Sequence, residues 1–205
     1  MINICIPVLN NYNGLLDMIY AFEQGSLVPD HYYVIDNGLK FDPADYTFFK
    51  EKKMTVITPD TNVGIATSWN WFLQNVPEIR IISNDDIIIR KDSLKQFIDG
   101  LVVDKFCFPE INGGMNSFSF FYIPDVVVKK VGLFDENISP GYGYFEDNDY
   151  HHRMIMVDEN IHPVPTDMGH VGSTTLKNMT PQEQALHHAK FRRARNNYLR
   201  KWGGP

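Results

Sequence analysis

Short apolar runs alternate with amphipathic segments through the first half of the chain. Four runs have the length and composition of buried strands, and they cover residues 3–8, 31–36, 54–59 and 79–83. Apolar residues recur at helical spacing after Asn13, a predicted N-cap, and again after Gly64, and a third helix is predicted from its N-cap Asp92 to about Gly100. Strands that are apolar throughout are typical of a sheet covered on both faces. The pattern therefore predicts an α/β fold with a mixed, mostly parallel sheet flanked by helices.

The second half of the chain has a less regular pattern. Strands are predicted at 106–110 and, with alternating burial, at 117–124, and the segment 111–116 between them reads as a flexible turn. A short helix is expected to end at Gly132, and another is expected to begin at Glu146. We find no repeat and no long linker, so the chain of 205 residues predicts a single domain.

Composition narrows the class of protein. No run of 18 apolar residues occurs, so no transmembrane helix is expected, and the N-terminal segment reads as a strand rather than a signal peptide. Cys5 and Cys107 follow no metal-binding spacing and are predicted to be reduced thiols in the core. These features predict a cytoplasmic protein.

The charge is unevenly distributed. The net charge of −6 argues against a general nucleic-acid binder. Residues 190–201 carry six basic side chains and no acidic one, which leaves −12 on the rest of the chain. A helix is predicted here, with an apolar stripe that docks on the domain; the stripe consists of Phe191, Ala194, Tyr198 and Trp202. Its arginines would lie on the outer face, which is either solvated or in peripheral contact with an anionic membrane or an acidic acceptor.

Two carboxylates, Asp85 and Asp86, interrupt an apolar pattern at the end of the fourth predicted strand. Burying an unpaired carboxylate costs several kcal/mol, roughly, unless a cation or hydrogen-bond donors compensate it. A pair of carboxylates at a strand end suits Mg²⁺ or Mn²⁺, which take their remaining ligands from water and phosphates. The alternative is a pair of solvated turn carboxylates, and the spacing does not choose between the two.

Two further segments carry candidate chemistry. Glu146 and Asp147 fall in the first turn of a predicted helix, where carboxylates also complement the helix dipole. Asp149 is expected to pair with Arg153 one turn later, which leaves Asp147 as the candidate general base. His170 lies in a loop rich in glycine and hydroxyl residues that a ligand could order, although a lone histidine is more often structural.

Six motifs in this order resemble the family 2 glycosyltransferases with the GT-A fold, from Ile6 to about Trp202. They are "IPVLN", "VIDNG", "NVGIATSWN", "ISNDD", "GLFDE…FEDNDYHHR" and "HVGSTT". The resemblance implies a Rossmann-like GT-A domain that transfers a sugar, with inversion, from a nucleotide sugar to an acceptor hydroxyl. It implies Mn²⁺ or Mg²⁺ as cofactor, a UDP-sugar as donor and a glycan or glycoconjugate as acceptor. The nucleotide-binding half would span about 1–100, the acceptor-binding half about 101–180, and the basic helix about 182–202.

The resemblance also assigns roles to residues. Asp147 matches the catalytic base, and Glu146 matches the acid that orients the acceptor or donor. Asp85 and Asp86 match metal-binding carboxylates, and His170 matches a histidine that completes the metal shell in several members. The nucleotide would contact the ends of the first strands and the loop before the second helix, at Pro7, Val8, Asn10, Asp36, Asn62, Gly64, Asn70 and Asn84.

The sequence departs from the family pattern at three places. Ser83 stands where the first Asp of the DxD motif is expected, so the metal site has one carboxylate fewer. Leu39 follows Asp36-Asn37-Gly38 where the family has "DDGS", and Ser68-Trp69-Asn70 replaces the frequent Ala-Arg-Asn. Two other classes stay open: a non-catalytic module that binds a sugar or nucleotide, and a sugar nucleotidyltransferase. The second is disfavoured because no early Gly-rich basic loop is present.

Overall fold

The structure is a computed structural model that describes residues 1–42, 54–111, 114–115, 117–172 and 179–203. The strands are β1 (Ile2–Val8), β2 (His31–Asp36), β3 (Met54–Ile57), β4 (Ile79–Ser83), β5 (Ile87–Ile88), β6 (Phe106–Ile111), β7 (Gly114–Met115), β8 (Phe120–Tyr122), β9 (Ile161–Pro165) and β10 (Gly169–His170). The helices are α1 (Tyr12–Glu23), α2 (Ile65–Asn75), α3 (Ser93–Asp99), α4 (Asp125–Val131), α5 (Glu146–Met156) and α6 (Pro181–Trp202).

The main sheet has its strands in the order β3-β2-β1-β4-β8-β6-β7, and β9 also pairs with β6. The first four strands in this order are parallel to one another, and β8 is antiparallel to both of its neighbours, β4 and β6. The chain runs outward from β1 to β3 and then returns through α2 to place β4 on the other side of β1. The point between β1 and β4 is therefore the topological switch point of the sheet, where α/β folds bind their ligands.

Both faces of the sheet are covered, as the apolar strands predict. Along β1, Ile4 and Ile6 belong to the core beneath α1 and α3, whereas Cys5 belongs to the core beneath α2 and α5. Each core contains fully buried aromatic side chains, such as Phe97 in the first and Tyr150 in the second. The two predicted core thiols, Cys5 and Cys107, are buried and free. The α/β fold with a mixed sheet is thus confirmed.

The predicted bounds of β2 and β4 agree with the structure, whereas several other predicted bounds differ from it. α1 begins at Tyr12 with Asn11 at the N-cap, so the prediction of Asn13 as N-cap is wrong. The predicted 117–124 strand is only Phe120–Tyr122, and its residues are all buried because both faces of β8 are covered. The predicted turn at 111–116 contains β7, which forms a hairpin with β6; residues 112, 113 and 116 lie outside the described residues.

α6 packs on the domain along the predicted apolar stripe. Ala194 is buried, Phe191 contacts the rings of Tyr144 and Phe145, and Tyr198 contacts Phe145. A capping box between Thr180 and Glu183 begins the helix. α6 has 22 residues but is strongly polar. Among the helices of the described ranges, none combines the length and apolar content that crossing a bilayer requires.

The C-terminal end of α6 is attached to α5 through a buried carboxylate. Asp149 is fully buried, and it accepts hydrogen bonds from Arg153 Nε at 2.9 Å and from Trp202 Nε1 at 2.8 Å. Lys201 Nζ lies 2.7 Å from Asp149 Oδ1 and 2.7 Å from Asp135 Oδ2. The expected pair of Asp149 and Arg153 is therefore present, but as part of a buried network that joins two helices.

Asp149→Ala should lower the free energy of unfolding by about 3 to 5 kcal/mol, because it leaves Arg153 and Lys201 without their shared buried anion. Asp99→Ala is the matched control, since Asp99 forms an i,i+4 pair with Lys95 on an exposed surface and should change stability little. Urea denaturation followed by circular dichroism measures both variants. Equal, small losses in the two variants would show that the Asp149 network does not hold α6 in place.

Candidate active site

A cavity of about 410 Å³ lies at the switch point of the sheet. The ends of β1 and β4 form its floor, the start of α2 and the start of α5 form two sides, and His170 of β10 closes a third. The sequence predicts ten residues that the structure brings together here: Pro7, Val8, Asn62, Gly64, Asn84, Asp85, Asp86, Glu146, Asp147 and His170. Their individual roles stay predictions.

Three other predicted site residues do not line the cavity. Asp36 is fully buried and accepts hydrogen bonds from the Tyr12 hydroxyl at 2.6 Å and the backbone N–H groups of Gly38 and Phe41 at 3.1 and 2.7 Å. Asn70 exchanges two hydrogen bonds with the backbone of Phe134. Both side chains hold loops in place. Asn10 is half-buried at the end of β1, outside the lining.

Asn37 lines the cavity, although the sequence indicates only a turn at this position. Its amide donates to Ser68 Oγ at 3.0 Å and accepts from the Val63 backbone N–H at 3.0 Å. Ser68 Oγ in turn donates to the carbonyl of Gly64 at 2.7 Å. Ser68, which replaces the alanine of the family's Ala-Arg-Asn, therefore links α2 to the turn after β2. Trp69 lies one helical turn beyond Ile65, and both residues line the cavity.

Asp85 and Asp86, which we call the acidic step, are held in place by a small two-stranded sheet. β10 pairs antiparallel with β5, with His170 opposite Ile87, and the Val171 N–H donates to the carbonyl of Asp86 at 3.1 Å. This register places His170 Nε2 at 2.9 Å from Asp86 Oδ1. The family motif continues through residues 173–175, which lie outside the described residues.

Asp85, the first carboxylate of the acidic step, is buried next to α1. The Asn11 amide donates to the carbonyl of Asp85 at 2.9 Å, which explains why Asn11 makes no side-chain cap for its own helix. A Cβ atom at Gly14 would lie 2.5 Å from the same carbonyl oxygen, so only glycine allows α1 to approach this closely. Burial, followed by the negative charge of Asp86, raises the pKa of the Asp85 carboxyl to about 7.

These residues fit a divalent cation that also contacts a phosphate. In the described parts of the chain no three His, Cys, Asp or Glu residues form a group able to hold a metal ion by themselves. Mg²⁺ commonly takes only one or two carboxylates and completes its coordination with water and substrate phosphates. A cation beside Asp85 would also offset the burial that raises its pKa.

The structure gives a physical reason for the serine in the DxD-like motif. Ser83 is fully buried, and its hydroxyl contacts Met18 Sδ at 3.4 Å and the carbonyl of Asn84 at 2.8 Å. It points into the core beneath α1 and does not line the cavity. A carboxylate at this position would need to be desolvated against a methionine.

An unusual backbone leads into the second pair of carboxylates. Tyr144 and Phe145 have φ angles of 110° and 67°, and Phe145 is the left-handed N-cap of α5. Non-glycine residues adopt such angles at a cost of about 1 to 3 kcal/mol each, often at functional sites. The turn directs Glu146 and Asp147 of the first helical turn into the cavity.

The two carboxylates are in different environments. Glu146 is 5% exposed, and burial together with the adjacent Asp147 raises its pKa to about 8. Its Oε2 atom is buried and has no hydrogen-bond partner among the described residues. Asp147 is more accessible and accepts from the Asn148 N–H at 2.8 Å, while partial burial raises its pKa as well. At neutral pH Glu146 is therefore protonated, which limits the repulsion between these neighbours.

The loop before α5 contacts the start of α2 through a glycine. Gly64 has a φ angle of 87°, and a Cβ atom there would lie 2.5 Å from the backbone nitrogen of Tyr142. The Ile65 N–H donates to the Tyr142 carbonyl at 2.7 Å. This close backbone contact joins the predicted nucleotide-binding and acceptor-binding parts of the cavity.

α6 forms one wall of the cavity, which the sequence does not reveal. His187 is 6% exposed and lies between two tyrosines, with its Nδ1 at 2.7 Å from the Tyr142 hydroxyl and its Nε2 at 3.5 Å from the Tyr144 hydroxyl. Burial, followed by the neighbouring His188, lowers the pKa of His187, which favours the neutral ring. Met179, just before the helix, and Phe191 also line the cavity.

The comparisons with known proteins identify the fold. No family model and no curated protein sequence matches the chain. A mannosyltransferase from Pyrobaculum calidifontis, in complex with GDP-Man and Mn²⁺, superposes with a TM-score of 0.62 at 11% identity. The match covers 100% of this chain and 76% of the mannosyltransferase chain. The chain has the GT-A fold.

Two other GT-A structures give the same result. Glucosyl-3-phosphoglycerate synthase from Mycobacterium tuberculosis, with Mn²⁺, uridine diphosphate and glucosyl-3-phosphoglycerate, has a TM-score of 0.64 at 15% identity, covering 100% of this chain and 81% of its own. GalNAc-T7 with UDP, GalNAc and Mn²⁺ has a TM-score of 0.63 at 12% identity, covering 82% of this chain and 42% of its own. At these identities the likeness shows the GT-A fold alone.

The raised pKa of Glu146 predicts a loss of stability with rising pH. An ordinary glutamate loses its proton near pH 4.5, whereas Glu146 keeps it in the folded state to about pH 8. Between these values the folded state binds the extra proton, so the free energy of unfolding should fall as pH rises, by roughly 1 kcal/mol per pH unit.

Urea titrations at several pH values between 5 and 8.5 test this expectation. Glu146→Gln should reduce the slope by about that amount, since glutamine does not titrate, and the slope that stays is expected from Asp85 and Asp147, whose pKa values are also raised. Glu110→Gln, at an exposed position, is the control and should keep the wild-type slope. A Glu146→Gln variant with an unchanged slope would show that Glu146 ionises normally in the fold.

Proposed function

We propose that the protein is an inverting glycosyltransferase that uses a nucleotide sugar, with a UDP-sugar as the first candidate donor. The observation that supports this most is the joint position of the acidic step and the Glu146–Asp147 pair in one cavity at the switch point of a GT-A fold. The proposal keeps a single domain, with the nucleotide bound by about 1–100 and the acceptor by about 101–180.

The nucleotide is proposed to bind along the ends of β1 and α2. Pro7 and Val8 end β1 and would pack on the base, and the Asn62 side chain lies close by. The proposed set leaves out Asp36 and Asn70, whose side chains do not line the cavity. The diphosphate would lie toward Asn84 and the acidic step.

Mn²⁺ or Mg²⁺ would be held by Asp85 and Asp86, with His170 beside them, and would supply positive charge to the departing diphosphate. His170 is positioned by its 2.9 Å contact with Asp86. The desolvated Asp85 would regain its negative charge when a cation binds.

Asp147 is proposed to act as the general base. Its carboxylate would take the proton of the acceptor hydroxyl while the acceptor oxygen bonds to the anomeric carbon of the donor sugar. The bond from that carbon to the diphosphate oxygen breaks, and its electron pair leaves with the nucleotide. Attack from the face opposite the leaving group inverts the configuration. The raised pKa of Asp147 suits this role because it makes the carboxylate more basic.

Calorimetric titration of UDP and of GDP, each with and without Mn²⁺, tests donor binding. UDP should bind in a Mn²⁺-dependent manner, and Asp85→Asn should abolish the dependence by removing a ligand charge. Asp92→Asn, an exposed aspartate on the same part of the chain, should bind as the wild type does. Tighter binding of GDP would change the donor class. If neither nucleotide binds, the resemblance would extend to the fold alone, and the non-catalytic binding module would become the favoured alternative.

Asp147→Asn should lower the rate of sugar transfer to water, measured as release of UDP from UDP-glucose, by about 10²- to 10⁴-fold, because the amide cannot accept a proton. Donor affinity should stay within a few-fold of the wild type. Asp158→Asn is the matched control at an exposed position near the end of α5. An Asp147→Asn enzyme of unchanged rate would exclude this residue as the base, and formation of UDP-glucose from UTP and glucose 1-phosphate would instead indicate a nucleotidyltransferase.

A further inference from the structure

Five aromatic side chains form one wall of the cavity, in contrast to the two carboxylates of the acidic step. They are Tyr142, Tyr144, Phe145, His187 and Phe191, and we call them the aromatic wall. Two belong to α6 and three to the loop before α5. The nucleotide-binding roles proposed above use none of them.

The aromatic wall is held rigidly. The His187 ring contacts both tyrosine hydroxyls, at 2.7 and 3.5 Å, and the Phe191 ring lies 5.1 Å from Tyr144 and 5.3 Å from Phe145, between ring centroids. Because these contacts tie the loop to α6, the rings are fixed before a ligand arrives. A fixed apolar face beside a catalytic carboxylate suits the ring of a sugar acceptor.

A second, smaller cavity adjoins the aromatic wall at Tyr142. It has a volume of about 60 Å³, and Tyr142 lines both cavities. Two cations of α6, Lys190 and Arg193, line it, together with Ser139 of the loop. The Lys190 ammonium lies 4.4 Å above the Tyr142 ring, in cation–π contact.

The charges of the two cavities are opposite. Among the described residues, those that line the main cavity include the carboxylates of Asp85, Asp86, Glu146 and Asp147 and no lysine or arginine. The small cavity presents two cations next to the Tyr142 ring. Glu183, one turn before His187, lies near Tyr142, but it accepts the Thr180 N–H at 2.7 Å as part of the helix cap.

We propose that the aromatic wall and the Lys190–Arg193 cavity form one acceptor subsite for a saccharide that carries an anionic group. The sugar ring would stack on the aromatic wall with its reacting hydroxyl toward Asp147, and its phosphate or carboxylate would bind Lys190 and Arg193. This inference rests on the proposed function and specifies the acceptor class for it.

Binding of small acceptor mimics to the UDP-saturated protein tests the subsite. Glucose 6-phosphate should bind roughly tenfold more tightly than glucose, because charge-assisted hydrogen bonds contribute more than neutral ones. Glucuronate is the second probe, and a preference for one anionic probe over the other identifies the anion as phosphate or carboxylate. Chemical-shift changes in the protein NMR spectrum give the dissociation constants and locate the affected residues.

A matched pair of double variants isolates the two cations. Lys190→Gln/Arg193→Gln should bring the affinity for glucose 6-phosphate to within a few-fold of that for glucose. Arg192→Gln/Arg195→Gln removes the same charge from exposed positions of α6 that line neither cavity, and should keep the preference. Urea titration of both double variants confirms that they are folded.

The possible outcomes separate this inference from the proposed function. If UDP binds but glucose 6-phosphate binds no better than glucose, the acceptor inference is overturned and the transferase proposal stands. If neither UDP nor GDP binds and the anionic sugar does, the subsite is supported and the transferase proposal fails. Equal losses of affinity in both double variants would assign the effect to net charge and overturn the inference. Binding to phosphatidylserine vesicles without any anionic-sugar preference would overturn it in favour of membrane contact.

Discussion

Burial of carboxylates in one cavity, together with the repulsion between sequence neighbours, is the main electrostatic cost that this fold has to offset. Asp85 and Asp86 come from the end of β4, and Glu146 and Asp147 come from the start of α5, some sixty positions later in the chain. Burial raises the pKa of Asp85 to about 7 and that of Glu146 to about 8, so the protonated forms are favoured relative to those of exposed carboxylates. The other strands and helices bring these four carboxylates together and hold them in place.

The parallel half of the sheet fixes the first pair of carboxylates through the backbone. β4 pairs with β1 on one side and β8 on the other, and the Asn84 N–H donates to the Ser119 carbonyl at 2.8 Å, so the chain beyond Ser83 has little freedom. The second pair depends on a left-handed backbone at Tyr144 and Phe145. That conformation is unfavourable by itself, and the rings of α6 packed on both residues stabilise it. The distant C-terminal helix is thereby part of the active-site geometry.

Much of this arrangement could be predicted from the sequence, and the parts that could be predicted share a physical reason. The strands β2 and β4 follow from local apolar periodicity, and residues at the ends of parallel strands must meet at one edge of the sheet. This rule brings together Val8 and Asp85, whereas Glu146, Asp147 and His170 are assigned by the family resemblance and also line the cavity. Asp36 ends β2 and Asn70 lies in the middle of α2, and the sequence does not show that neighbouring groups occupy their side chains.

The features that could not be predicted depend on contacts between distant segments. The apolar stripe of α6 predicts that the helix docks, but its partner is set by tertiary packing, and His187 reaches Tyr142 across 45 positions of sequence. The Asp149–Arg153 pair has the spacing of a surface ion pair, and only the arrival of Trp202 and Lys201 makes it a buried network.

The same dependence on α6 connects stability with acceptor recognition. Asp149 lies in α5, two residues after Asp147, and binds the C-terminal end of α6 through Trp202. His187 and Phe191 of α6 contact Tyr142 and Phe145 of the aromatic wall. α6 therefore carries Trp202 and Lys201, which bind Asp149, two rings of the aromatic wall, and the cations Lys190 and Arg193. In the proposed scheme the donor site is built from the sheet and the acceptor site from α6 and the loop before α5, so changes on the outer turns of α6 would alter acceptor choice while donor binding is kept.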